Sequence, residues 1–229
     1  MPSNGIRMRA LIRSLAISAK PMTSLPPKQD GLPQWIRWVA LVWLAFWFAT
    51  YWRTWGPANF LHFCDIAEAL ACVGFVTDSA LLISSQAVAS LLVDLAWALD
   101  AGSKLVAGRH LIGGTEYMWD TRYPLWIRLL SLFHLALPVL LLWALRRVGY
   151  DRRALALQSA IALPAFIASR FVSQAENMNY AFADPFFHRA WGPAPVHIAV
   201  IFLFMVLIVY LPTHVLLKRL FQPPQARTS

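Results

Sequence analysis

Residues 195–217 read PVHIAVIFLFMVLIVYLPTHVLL, twenty-three positions without one Asp, Glu, Lys or Arg. A bilayer's hydrocarbon is crossed by ~20 apolar helical residues, so this run is long enough to span it. Working outward, five further apolar stretches of similar length lie at roughly 33–54, 57–77, 79–100, 124–145 and 153–171. Inside lipid every backbone N–H and C=O needs a partner in the protein, so each stretch predicts a helix. The expected fold is all-α, a polytopic transmembrane helix bundle of about six spans.

Composition agrees. Of 229 residues, 59% are hydrophobic and only 14% charged, whereas a soluble domain carries about 25% charge. The net charge of +9 sits mostly in short loops and tails, which argues for membrane topology and lipid headgroups rather than nucleic acid. The expected organisation is a basic tail over 1–32, one transmembrane domain over 33–218 and a tail over 219–229. An inside N-terminus puts twelve Lys and Arg on the inner side and six on the outer, so both termini are expected in the cytoplasm. Six of the eleven tryptophans fall in the first span and its edges, as interfacial anchors do. Segments 101–123 and 172–194, rich in Gly, Pro, Asn and aromatics, are expected as two ordered caps on the outer side. Nothing in the sequence indicates an oligomeric state.

Ionisable residues within spans are costly and so mark candidate sites. Cys64, Asp65, Glu68 and Cys72 share one broad helix face in the second span, with His62 a turn before Asp65. The two cysteines are eight residues apart, ~12 Å along a helix, too far for a disulfide. Gln86, Ser90 and Asp94 form an i, i+4, i+8 stripe in the third span, read as interhelical polar glue. The fourth span carries Arg128, Ser131 and His134, then Pro138, which withholds a donor from the carbonyl of residue 134 and predicts a bend there. Under this topology Cys64, Asp65, His134 and Asn177–Tyr180 all approach the outer half of the bundle.

Three of these pieces, in this order, resemble the YwaF-like family of bacterial integral membrane proteins. They are LHFCDI at 61–66, the histidine of SLFH at 131–134, and NYAFADP at 179–185 followed by GPAP at 192–195. The family includes a human membrane acyltransferase acting on ether phospholipids. The resemblance implies a bacterial inner membrane location, membrane phospholipids as partners and no cofactor or metal. It also implies Cys64 as nucleophile and His134 as its base. A buried thiol needs a base to become nucleophilic, and Asp65 or Asn179 is placed to hold the imidazole, with Tyr180 beside it.

Two other readings stand beside this one. A metal-dependent lipid hydrolase has ligand types available in His62, Asp65, His110, Glu116, Asp120, His134, His188 and His197, although His62 and Asp65 are the only compact pair. A non-catalytic lipid-binding or transport protein would use the polar residues as structure, but paired broken helices in repeated halves are not visible.

Overall fold

The computed structural model describes residues 31–221. Among them there are no strands, and six helical rods dominate. They are α1 (Gln34–Trp55), α2 (Phe63–Thr77), α3 (Ala80–Ala107), α4 (Leu125–Val148), α5 (Ala154–Ser169) and α6 (Ala194–Phe221). Each falls within or beside one of the expected spans. Three of them, α3, α4 and α6, are long and apolar enough to cross a membrane, and α5 is a shorter apolar helix. The remaining pair falls short for different reasons. The 22 residues of α1 suffice in length, but its many tryptophans are only weakly apolar. The 15 residues of α2 make a rod of ~22 Å, less than a bilayer core. Its expected first turns, from residue 57, are instead a 3₁₀ segment, Pro57–Leu61, followed by an extended His62.

The third helix is the axis of the bundle, packing against α2, α4, α5 and α6. Its residues Ile83 to Ser90 are buried without interruption. Serine and alanine supply most of that run, and their small side chains let several neighbours approach one backbone. Leucines and aromatics close the remaining space, with Trp47, Leu141, Leu145 and Phe166 fully enclosed. Trp47 meets Tyr51, Phe60 and Phe133 at centroid distances of 4.9, 5.5 and 6.3 Å, tying α1 to α4 near the site end. On the outer faces Trp35, Trp38 and Trp52 stay half exposed, as anchors at a lipid boundary would.

Two turns fix the register of the bundle. Asp78 ends α2 in the left-handed region at φ 57°, and its carboxylate receives Leu32 N–H at 2.9 Å and Arg37 at 3.3 Å. Gly31 passes so close to that carboxylate that a Cβ there would collide with it. Leu32 is itself buried, so residues 31 and 32 belong to the bundle although the expected tail ran to 32. The rest of that tail, 1–30, and residues 222–229 lie outside the described residues. At the same end Asp151 N–H bonds Ser84 Oγ at 2.9 Å, joining the α4–α5 turn to the start of α3.

Two helices depart from α geometry. In α4 a 3₁₀ turn spans Leu130–Leu132, immediately before His134, while helix continues through Pro138. An irregularity near the histidine therefore also precedes it. In α6 a π-helical turn, Met205–Tyr210, separates two α-helical halves. It leaves Tyr210 fully buried, its hydroxyl accepting from Gln158 at 3.4 Å.

The segments between α3 and α4 and between α5 and α6 are ordered and lie at one end of the bundle. Asp100, buried near the end of α3, organises the first. One of its oxygens accepts the N–H groups of Leu111, Ile112 and Gly113 at 2.8, 2.7 and 3.0 Å. The other is bonded by His110 at 2.9 Å and by Thr115. Asp184 plays the matching part in the second segment, taking the N–H groups of Phe186 and Phe187 at 2.9 and 2.6 Å.

Candidate functional site

Cys64 enters on the first turn of α2, because the extended His62 starts the helix only at Phe63. A helix N-terminus favours negative charge, but this sulfur is enclosed beside the Asp65 carboxyl, so the thiol needs a base to ionise. Asp65 is buried beside it. Its Oδ2 accepts from Asn59 Nδ2 at 2.5 Å, and the thiol points to its Oδ1 at 3.9 Å.

His134 lies across the bundle interior on α4, also buried. Its Nδ1 stands 2.7 Å from Oδ1 of Asp94 on α3. A carboxylate only accepts, so Nδ1 carries the hydrogen and Nε2 presents its lone pair. The imidazole ring stacks on Trp97 at 4.7 Å and on Phe133 at 4.2 Å, which leaves it little freedom to turn. The helix that carries His134 packs against α2, which carries Cys64.

A group of hydroxyls borders these residues. Tyr51 Oη and Ser131 Oγ are 3.1 Å apart, and Trp97 Nε1 donates to Tyr117 Oη at 3.0 Å. Tyr117 lies near both Ser131 and Cys64, and burial holds its hydroxyl well above the ordinary tyrosine range, so it remains a donor. Besides the bond accepted from Trp97, its hydroxyl faces that of Ser131.

The imidazole is thus held by Asp94, not by the expected Asp65 or Asn179. The same bond joins two helices, as the reading of Asp94 as interhelical polar glue expected. Asn179 has a structural task instead. Its Nδ2 donates to Leu61 O at 2.7 Å and Ser169 Oγ at 2.9 Å, and its Oδ1 accepts from Phe63 N–H at 3.1 Å. It therefore fastens the 172–194 segment to the start of α2, one residue before Cys64. Tyr180 is partly exposed and adopts φ 60°, a left-handed conformation that costs a bulky residue ~1–3 kcal/mol. Its carbonyl is held by His197 Nε2 at 2.9 Å, while His197 Nδ1 accepts Trp191 N–H at 3.2 Å. That pair of bonds fixes the tautomer of His197 and makes it a clamp on the loop.

Sequence reading missed Tyr51, Trp97 and Tyr117. Trp97 was visible only as one more apolar helix position, and Tyr117 as an aromatic in a Gly-rich cap. Among the described residues no three His, Cys, Asp or Glu side chains come together as a metal-ligand set. His110, His134 and His197 are each committed to other partners.

No family model, curated protein or solved structure matches this chain.

Proposed function

We propose that the protein is a six-span inner-membrane enzyme that moves an acyl chain between phospholipids through a Cys64 thioester, with His134 as base and Asp94 orienting it. The observation that carries this reading is the Asp94–His134 bond, which leaves Nε2 as a proton acceptor in a region shared with a helix-N-terminal thiol. The resemblance of residues 61–66 to the YwaF-like motif supplies the substrate class. Crossing by α1 and α2 is supported by length, the 22 residues of α1 sufficing by themselves. The 3₁₀ turn Pro57–Leu61 adds ~10 Å to α2, bringing that segment to about the 30 Å of a hydrocarbon core. The basic turn 146–153, at the end opposite the caps, supports cytoplasmic termini.

The chemistry runs in two balanced halves. His134 Nε2 takes the thiol proton as sulfur attacks the ester carbonyl of a donor phospholipid. The carbon–oxygen bond breaks, and the imidazolium returns the proton to the departing lysolipid oxygen. A hydroxyl of a second lipid then gives its proton to Nε2 and attacks the thioester, releasing the thiol. The O–H of Tyr117 and the helix-end amides are suited to stabilise the oxyanion of both steps.

The test is transfer of a labelled acyl chain to a lysophospholipid in liposomes. Cys64→Ser is expected to abolish transfer and Cys72→Ser to keep most of it, since Cys72 packs in the hydrophobic core. Full activity in Cys64→Ser rejects the thioester.

A further inference from the structure

From the end of the bundle opposite the caps, α1 carries a face that the other described helices leave open. Trp35, Trp38, Val39, Val42 and Phe46 recur at helical spacing and form one stripe, each at least 48% exposed. From Trp38 to Phe46 the stripe, with Trp43, walls a groove of about 420 Å³ that no charged residue lines. That volume lies within the range of small-molecule sites, about 300–1,000 Å³. Trp43 is a fixed wall, because its Nε1–H is bonded to Glu68 on α2.

The mouth of the stripe differs in kind. Trp35 stands 6.2 Å from Trp143 of α4, ring centre to ring centre, and the Arg147 guanidinium lies 4.9 Å over the Trp143 ring. A cation and two indoles therefore meet where α1 begins, the arrangement of a lipid–water boundary. Among the described residues no carboxylate pairs with Arg147. Those at this end include seven Lys and Arg against two Asp, and Asp78 and Asp151 are already paired with Arg37 and Arg153. The surplus positive charge is open to an anion from outside the chain.

The length of the stripe selects the occupant. Phe46 lies eleven positions after Trp35, ~16 Å at helical rise and about half of a ~30 Å hydrocarbon core. One leaflet has that depth. A groove apolar along its length and cationic at its mouth matches a phospholipid lying head outward. A second copy of the chain is a poorer match, since helices pair in lipid through small residues and this face is built of indoles and branched chains. Residues 1–30 hold five Lys and Arg to one Asp, so the same cations would repel them.

We infer that this face of α1 is a binding site for an anionic phospholipid, its phosphate on Arg147 beside Trp143 and one acyl chain in the groove between Trp38 and Phe46. The site uses the membrane crossing of α1 proposed above and none of the acyl-transfer chemistry, because Cys64 and His134 lie toward the caps. The lipid is held there and does not react.

Native mass spectrometry of the full chain in detergent, mixed with equal amounts of phosphatidylglycerol and phosphatidylcholine, tests it. Wild type is expected to keep one phosphatidylglycerol in preference to phosphatidylcholine. Arg147→Gln should cut that retention about tenfold, the scale of a lost charge-assisted hydrogen bond. Val42→Trp fills the groove and should do the same, while Cys64→Ser should leave retention unchanged. Neither Arg147 nor Val42 is buried, so the fold should survive both changes. Arg152→Gln removes an equal charge nearby and should cost clearly less. The site is overturned by equal retention of the two lipids, by no lipid on wild type, by an equal loss in Arg152→Gln, or by unchanged retention in Arg147→Gln or Val42→Trp. A lipid-free dimer that Val42→Trp separates would assign the face to a second copy. Retention lost in Cys64→Ser would assign the lipid to the thiol site, and either result also overturns the inference.

Discussion

His134 and Asp94 lie forty positions apart in the chain and 2.7 Å apart in the bundle, joining α4 to the central helix. The bond is short, shielded from solvent and charge-assisted on the acceptor side, which is the strong class of hydrogen bond. Asp94→Asn keeps the size of the side chain but can turn a donor toward Nδ1, which favours the tautomer with the hydrogen on Nε2. Acyl transfer is then expected to fall by at least about 10², the scale of a general-base contribution. Labelling of Cys64 by a thiol reagent should slow in parallel. Unchanged transfer in Asp94→Asn with normal folding would remove Asp94 from the mechanism.

The clamp of His197 on the strained Tyr180 makes a different prediction. His197→Ala removes two bonds to the 177–191 segment and should destabilise it by ~1–3 kcal/mol. Amide hydrogen exchange is expected to quicken around residues 177–183 and at the start of α2, which Asn179 fastens, while the α3 core keeps its protection. Tyr180→Gly should do the opposite, because glycine adopts φ 60° without strain. A Tyr180→Gly protein less stable than wild type would show that the ring matters more than the backbone strain.

Acid should loosen the same segment. Burial alone would raise the Asp184 carboxyl, but the N–H groups of Phe187, Phe186 and Arg189 and the charge of Arg189 outweigh it and hold it below the usual range. A depressed folded value means stability that is complete above the unfolded value, ~3.9, and lost as pH falls through the folded one. Asp184→Asn should therefore flatten the acid side of the unfolding profile. Asp120 and Asp151, each held low first by its bond to a neighbouring arginine, contribute in the same direction and should persist in that variant. An Asp184→Asn profile parallel to wild type would contradict this.

Topology has its own check. Cysteine accessibility or reporter fusions should place residues 108–123 and 172–192 on one side of the membrane and 149–153 on the other. Finding 108–123 and 149–153 together would mean that α4 does not cross.

The helices were legible because a bilayer-length apolar run has few alternatives. All six rods stand at or beside the stretches that hydropathy marked. Their ends were less so. Gly56-Pro57 opens a 3₁₀ turn where apolar character alone continued a helix, and Lys104 did not stop α3, which reaches Ala107 and a left-handed Gly108. For the site, Cys64 and His134 stood out as costly residues in lipid-length helices. Asp94 did not, because an i, i+4, i+8 polar stripe reads alike whether it joins helices or orients a base. The tertiary meeting of α3 and α4 is what pairs it with His134. Tyr117 was hidden for a related reason, since a loop aromatic carries no periodicity to say where it points.

The π turn at Met205–Tyr210 holds one residue more than an α-helix of the same rise would need. A surplus residue absorbed in this way leaves the two halves of α6 facing as they would without it. Taking it out should be tolerated far better than a deletion elsewhere in the helix, where all later side chains would swing by ~100°. The bulge thus records where this helix can change length without turning its back on its neighbours.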